Sequence, residues 1–290
     1  MPDEKLYPFA ARKISINGHN LSFLDQGEGR AVVLLHGNPT WSFYYRNLVT
    51  LLQNNYRVIV PDHMGCGLSD KPQVYPYTLK THIDNLETLL ASLDIERFSL
   101  VVHDWGGAIG MGLGVRHPER VESIVVLNTA AWRSRRIPFR ISMCRIPLLG
   151  AVIVRGLNGF ARGALTMAVT SRMDPAVAAG YLEPYDSWHN RIALLRFIED
   201  IPLKSTHGSW QTLTMIETGL DRFRKIPMLI LWGGRDFCFT PYFYEQWLQK
   251  FPGAESHFFP DAGHYVLEDA FDQLAPLIIN FFQNQQSNES

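Results

Sequence analysis

Apolar residues in the first 130 positions alternate between two patterns. Short, mostly apolar runs at 31–35, 56–60, 98–102 and 121–127 have the length and β-branched content of strands buried on both faces. Between the second and third runs, Leu79, Ile83, Leu86, Leu90 and Leu93 recur at spacings of three and four. That spacing predicts an amphipathic helix, with Thr78 placed to cap it. Further on, 228–231 and 255–259 read as two more strands, and Leu267, Phe271, Leu274, Ile278 and Phe281 mark one face of a terminal helix. Strands that alternate with helices predict an α/β fold, a mostly parallel twisted sheet flanked by helices.

From 131 to 213 the alternation gives way to helical segments without buried strands. This stretch is expected to be an inserted helical cap, with 1–130 and 214–290 forming the core domain. Asp174-Pro175 combines an N-cap with proline at the first helical position, and Pro184 is expected to end that helix. Residues 131–173 carry eight arginines and no acidic residue. A solvated cap face accounts for that bias; contact with a membrane or an acidic partner is the alternative, and the apolar run from Ile146 leaves self-association as a homo-oligomer open. No internal repeat is evident, and 283–290 is expected to be disordered.

At 290 residues and 46% hydrophobic content, the chain can bury a large core as one domain with an insertion. Its 27 basic and 28 acidic residues give a net charge of -1, so no overall field attracts nucleic acid or anionic lipid. The opening Met1-Pro2-Asp3-Glu4-Lys5 leads into no apolar signal segment, and the uncharged stretch 146–154 is far shorter than the roughly 20 residues of a spanning helix. A cytoplasmic protein with no transmembrane segment is expected. Cys66, Cys144 and Cys238 have neither metal nor redox spacing and read as unpaired packing thiols.

The chemistry concentrates at His103-Asp104-Trp105-Gly106, which closes a strand-like run and opens a helix carrying Gly106, Gly107, Gly110, Gly112 and Gly114. A sharp strand-to-helix turn can lift one side chain above the sheet, and in hydrolases that residue is the nucleophile. Here it is aspartate, with a reference pKa of about 3.9, already an anion at neutral pH. Asp236 follows the strand-like Leu231-Trp232-Gly233-Gly234, and His264 follows the last strand. Taken singly, Asp104 and Asp236 could be turn caps, His264 a structural histidine, Trp105 a pocket wall and Asn38 a turn former. Their order along the chain, nucleophile, acid, histidine, favours catalysis. Trp41 and Phe43 are expected at the pocket rim.

These motifs resemble the α/β-hydrolase superfamily over nearly the whole chain. His36-Gly37-Asn38-Pro39 resembles its oxyanion-hole loop, and 62–70 resembles the loop after the next strand. The Gly-x-Gly within 62–70 makes a poor dinucleotide fingerprint, because Asp70 stands where the third glycine belongs. Asn38 together with Asp104-Trp105 resembles the haloalkane dehalogenases, whose halide site pairs an asparagine of that loop with the tryptophan after the nucleophile. Asn128 occupies the place where one subfamily carries a glutamate, so the resemblance assigns the acid to Asp236.

The resemblance implies two steps. Asp104 displaces halide as an alkyl ester, with Asn38 and Trp105 holding the leaving ion. His264, oriented by Asp236, then activates water against that ester, while the Asn38 and Trp105 backbone N–H groups hold the oxyanion. Hydrolytic dehalogenation, with no cofactor or metal, is therefore the first expectation. Tyr185-Asp186-Ser187-Trp188, 196–203 and 236–239 also resemble the β-lactone decarboxylases of long-chain olefin biosynthesis, which makes lactone decarboxylation the alternative. The expected partners are a small apolar substrate, haloalkane or β-lactone, and water. Epoxide hydrolysis, with Tyr181 and Tyr185 as proton donors, is a third option, and a silent ligand receptor on the same scaffold is the non-enzymatic one.

Overall fold

The structure, a computed structural model, describes residues 3–287. Eight strands form one sheet: β1 (Arg12–Ile16), β2 (His19–Gln26), β3 (Ala31–Leu35), β4 (Arg57–Pro61), β5 (Phe98–His103), β6 (Val121–Leu127), β7 (Met228–Gly233) and β8 (Glu255–Phe259). Their order is β1-β2-β4-β3-β5-β6-β7-β8. β2 pairs antiparallel with β1 and β4, and every other neighbouring pair is parallel. This is the mostly parallel sheet expected from the pattern.

The central runs are mostly apolar because both faces of the sheet are covered there. Val33, Leu35, Leu100, Val102 and Ile230 enter one core layer, and Val32, Leu34, Val101, Leu229 and Leu231 enter the other. Successive side chains of a strand point to opposite faces, so each run supplies both layers. The β1–β2 hairpin was not among the expected strands. It turns at Asn17-Gly18, with φ of 52° and 80°, the left-handed pair that a two-residue hairpin turn requires.

Eleven α-helices accompany these strands among the described residues: α1 (Arg46–Leu52), α2 (Leu79–Ser92), α3 (Trp105–Arg116), α4 (Phe139–Met143), α5 (Gly159–Met167), α6 (Pro175–Leu182), α7 (Ile192–Glu199), α8 (Trp210–Gly219), α9 (Pro241–Lys250), α10 (Val266–Asp269) and α11 (Phe271–Ser287). Thr78 caps α2 by accepting from the Thr81 N–H at 3.3 Å, as its position predicts. Asp174 caps α6 by accepting from the Ala176 N–H at 2.7 Å. The glycines of α3 allow close packing: a Cβ on Gly106 would lie 1.9 Å from the Leu35 carbonyl oxygen. That contact seats the start of α3 against the end of β3.

Helices α4 to α8 and a π-helical segment, Ala151–Gly156, fill the insertion between β6 and β7. The last of them, α8, packs on α3 of the sheet layer. Two expectations change. Trp41 and Phe43 are fully buried, and Phe43 packs edge-on against Tyr181 at 5.1 Å, so neither forms a rim. Residues 283–287 continue α11 rather than fray, because Leu274, Ile278, Phe281 and Phe282 bury one side of that helix. Residues 288–290 of the expected tail, and Met1 and Pro2 of the N-terminal segment, lie outside the described residues. Among the described residues no helix is long and apolar enough to cross a membrane.

Candidate active site

Strand order brings the singled-out residues to one edge. Across β3, β5, β6, β7 and β8 the parallel strands share a direction, so Asn38, Asp104, Asn128, Asp236 and His264 all emerge beyond their carboxyl ends. Ligands of open α/β sheets bind at that edge. β3 and β5 are direct neighbours with Leu35 opposite Val102, which puts the Asn38 loop beside the Asp104 turn.

Asp104 has φ 50° and ψ -124°, a strained backbone for a residue with a side chain. The strain is held by its surroundings: its N–H donates to the Asn128 carbonyl at 3.2 Å, and its own carbonyl accepts from Gly107 N–H at 3.0 Å and from the Thr129 hydroxyl. The side chain makes no capping bond to α3, which removes the turn-cap reading. Instead Oδ1 accepts from the Asn38 backbone N–H at 2.7 Å, and the Trp105 backbone N–H also bonds the carboxylate. Gly37 permits this approach, since a Cβ there would lie 2.1 Å from Oδ1.

Asp104 Oδ2 stands 3.8 Å from His264 Nε2, beyond a direct hydrogen bond. His264 Nδ1 is 2.7 Å from Asp236 Oδ2, so it donates there and Nε2 faces the nucleophile position. Asp236 is buried and fully engaged. Its Oδ2 also accepts from Asn128 Nδ2 at 3.0 Å, and its Oδ1 accepts from the Cys238 and Phe239 N–H groups at 2.6 and 3.0 Å. It therefore caps a turn and orients the imidazole at once.

Electrostatics separate these groups. Burial pushes the Asp104 carboxyl up from its ordinary value, against the lowering influence of His264 and of the Asn38 and Trp105 backbone donors. Burial alone would lower His264, but the Asp236 charge and hydrogen bond, with a contribution from Asp104, raise it on balance. Burial and the neighbouring carboxylates hold the Cys238 thiol far above its usual range, so it is no thiolate.

Asn38, Asp104, Trp105 and His264 form the polar end of one cavity, whose walls include Trp132, Ile137, Phe160, Leu213, Phe239 and Phe243. Arg136 and Pro138 lie on the lining as well, and Arg136 is exposed, so the cavity reaches the surface there. The Trp105 side chain lies 5.3 Å from Phe197, ring centre to ring centre, so it serves as a wall, and its indole adds an N–H donor. Asn38 Nδ2 donates to the Leu194 carbonyl at 3.0 Å, leaving one N–H for a ligand, and its buried Oδ1 has no protein partner among the described residues. An ionised carboxylate, two backbone donors and an imidazole at the end of an apolar cavity can attack carbon and hold the resulting anion.

Tyr181 and Tyr185 do not line the cavity: their hydroxyls donate to Glu268 at 2.5 Å and to the Thr40 carbonyl at 3.3 Å. Neither of these two tyrosines is placed to protonate an epoxide bound in the cavity. Asn128 is the residue whose part the sequence did not reveal. Besides Asp236 it bonds Gly233 in both directions, Nδ2 to its carbonyl at 3.0 Å and Oδ1 from its N–H at 2.8 Å. Its place after β6, at the same sheet edge, was the available signal.

A model of the alpha/beta hydrolase family matches residues 32–277. Among curated proteins, the chain is 46% identical to a cis-3-alkyl-4-alkyloxetan-2-one decarboxylase of Shewanella oneidensis, across 98% of this chain and 92% of that protein. It is 29% identical to haloalkane dehalogenase 2 of Mycobacterium tuberculosis, across 97% of this chain and 98% of that protein. Among solved structures it is similar to the haloalkane dehalogenase DbeA of Bradyrhizobium elkani, with a TM-score of 0.88 and 22% identity over 97% of this chain and 99% of that one. With the fold, the strained turn at Asp104 and the matching family model in agreement, the chain belongs to the alpha/beta hydrolase family.

Proposed function

We propose that this enzyme decarboxylates β-lactones bearing two alkyl chains, with Asp104 as nucleophile. The observation that carries this reading is the 46% identity to the Shewanella oneidensis decarboxylase along nearly the whole chain, against 29% for the dehalogenase. This reverses the order expected from Asn38 and Trp105 alone. The apolar cavity suits a hydrocarbon substrate, and three free cysteines suit a reducing cytoplasm.

In this reading Asp104 Oδ2 attacks the ring carbon bonded to the lactone oxygen. That carbon–oxygen bond breaks, leaving an aspartyl alkyl ester and a carboxylate on the adjacent carbon. The bond to that carboxylate then breaks, its electron pair forms the alkene, and Asp104 departs with the pair from its ester bond. Carbon dioxide and alkene are the products, and neither water nor a redox partner enters the balance. His264, with its raised pKa and with Nε2 3.8 Å from Oδ2, acts as a cationic donor that stabilises Asp104 as it leaves. Asp236 holds that imidazole in place.

Dehalogenation is the second reading, favoured by Asn38 and Trp105 on the cavity lining. It places a different demand on His264, which must be neutral to take a proton from water. Intact-mass analysis of His264→Phe separates the two. Incubation with a long-chain cis-β-lactone is expected to leave an adduct of the full lactone mass on Asp104. An alkyl adduct from 1-bromobutane or 1,2-dibromoethane, with none from the lactone, would reverse the assignment.

A further inference from the structure

Beside the cavity opening, the insertion turns large apolar side chains toward water. Phe139 is 76% exposed, Leu148 84% and Leu157 66%, and Ile146, Leu149 and Val152 are exposed with them. The segment that carries them is one continuous hydrogen-bonded path: Ile146 N–H donates to the Met143 carbonyl, Val152 N–H to Leu148 and Leu157 N–H to Val152. Leu148, the most exposed of the six, sits at φ 64°, a conformation that is costly for a branched residue. A solvated face would carry polar residues at these tips, and strain that holds leucine out in water points to a use for it.

Charge identifies the occupant. Residues 131–173 hold eight arginines and no acid, and since the whole chain sums to -1, the remainder carries -9. Arg135, Arg162 and Arg172 are exposed, and no carboxylate among the described residues pairs with them. Arg140, on α4 beside Phe139, is exposed too and, among the described residues, donates to the Met167 sulfur and pairs with no carboxylate. Exposed apolar side chains and exposed arginines without a carboxylate partner, carried by the same insertion, match an anionic bilayer, which takes the apolar tips into its acyl boundary and the guanidinium groups at its headgroups. An acidic protein surface would satisfy the arginines but not six protruding hydrophobic side chains.

We propose that the face formed by residues 135–157, with Arg162 and Arg172, docks on an anionic phospholipid surface and turns the cavity opening at Arg136, Ile137 and Pro138 toward the membrane. Extending the lactone reading, this arrangement takes a substrate with long alkyl chains directly from the lipid, where such a molecule partitions, without passage through water.

The test is co-sedimentation with vesicles of phosphatidylcholine containing about one-third phosphatidylglycerol, beside phosphatidylcholine alone. Binding to the anionic vesicles is expected to be at least about ten-fold tighter and to weaken with salt. Phe139→Ser/Leu148→Ser and Arg135→Glu/Arg162→Glu/Arg172→Glu are each expected to lose at least about ten-fold in that binding. Neither set touches the cavity lining, so turnover of a short, water-soluble lactone is expected to be unchanged while turnover of a vesicle-borne one falls. Vesicle binding needs no turnover, so failure of the lactone reading would leave it standing. Equal binding to both vesicle types, or none, would overturn the proposal. So would light scattering showing that wild type self-associates and that Leu148→Ser abolishes this without lipid, because the face would then join two copies. Binding to polyglutamate as tight as to vesicles, and indifferent to Leu148→Ser, would assign the face to an acidic protein instead.

Discussion

Two aspartates flank one imidazole, and their surroundings differ in every respect that matters. Asp236, in the loop after β7, gives both oxygens to fixed donors, two backbone N–H groups on one and Asn128 with His264 on the other. Asp104, in the turn after β5, takes the Asn38 N–H on Oδ1 and is also bonded by the Trp105 backbone N–H, while Oδ2 faces His264 across 3.8 Å. The same residue type is thus held by donors on both oxygens in one place and turns an oxygen toward the imidazole in the other, the position the proposed reading gives to the nucleophile. Hydrogen bonding and backbone strain make the difference.

The largest effect is expected from removing the nucleophile. Asp104→Ala should reduce product formation by about 10⁴-fold or more while the protein still folds, which steady-state assays beside circular dichroism would check. Asp236→Asn should cost about 10²-fold or more, because the imidazole loses the carboxylate that orients it and raises its pKa. Unchanged turnover in that variant would remove Asp236 from its assigned place.

The pH profile sharpens the comparison further. Asp104 must be ionised, and its raised pKa predicts an acid limb above the ordinary carboxylate range of about 4. The proposed decarboxylation calls for protonated His264 and should decline as pH rises through that residue's raised pKa. Dehalogenation uses the neutral form and should rise over the same interval. Opposite basic limbs with the two substrates would be direct support for the two demands on His264.

Asn128→Ala should destabilise the fold by about 2 kcal/mol, read as a lower urea midpoint, since Gly233 and Asp236 lose partners in a buried setting. The smallest effect concerns Asp104 and stability. Its folded pKa lies above its unfolded value, so ionising it costs stability at neutral pH, and that cost disappears as pH falls below the unfolded value. Asp104→Asn should therefore melt slightly above wild type at pH 8, with the gap closing toward pH 4.

The central strands were legible because both their faces are buried: 31–35 is apolar without interruption, 121–127 is broken only by Glu122 and Ser123, and both matched strands to the residue. Asp104, Asp236 and His264 could be placed because each follows a strand-like segment, and strand ends define the binding edge. The β1–β2 hairpin escaped because β1 is mostly exposed and its apolar pattern weak, although Asn17-Gly18 marked the turn. Asn128 was read only as the absence of an acid, since its bonds to Gly233 and Asp236 span more than a hundred residues. Tyr181 and Tyr185 were candidates while the path of the insertion was unknown. Packing against Glu268 and Thr40 decided their place, and no local pattern encodes that.

The central claim is that Asp104 acts on a lactone ring in preference to a carbon–halogen bond. The most direct measurement follows carbon dioxide and alkene from a long-chain cis-3,4-dialkyl β-lactone beside halide from a 1-haloalkane of equal chain length, with wild-type enzyme at one pH. Equimolar carbon dioxide and alkene, formed with a kcat/KM at least about a hundred-fold above that for halide release, is the predicted result. Rapid halide release with no carbon dioxide from the lactone would contradict it.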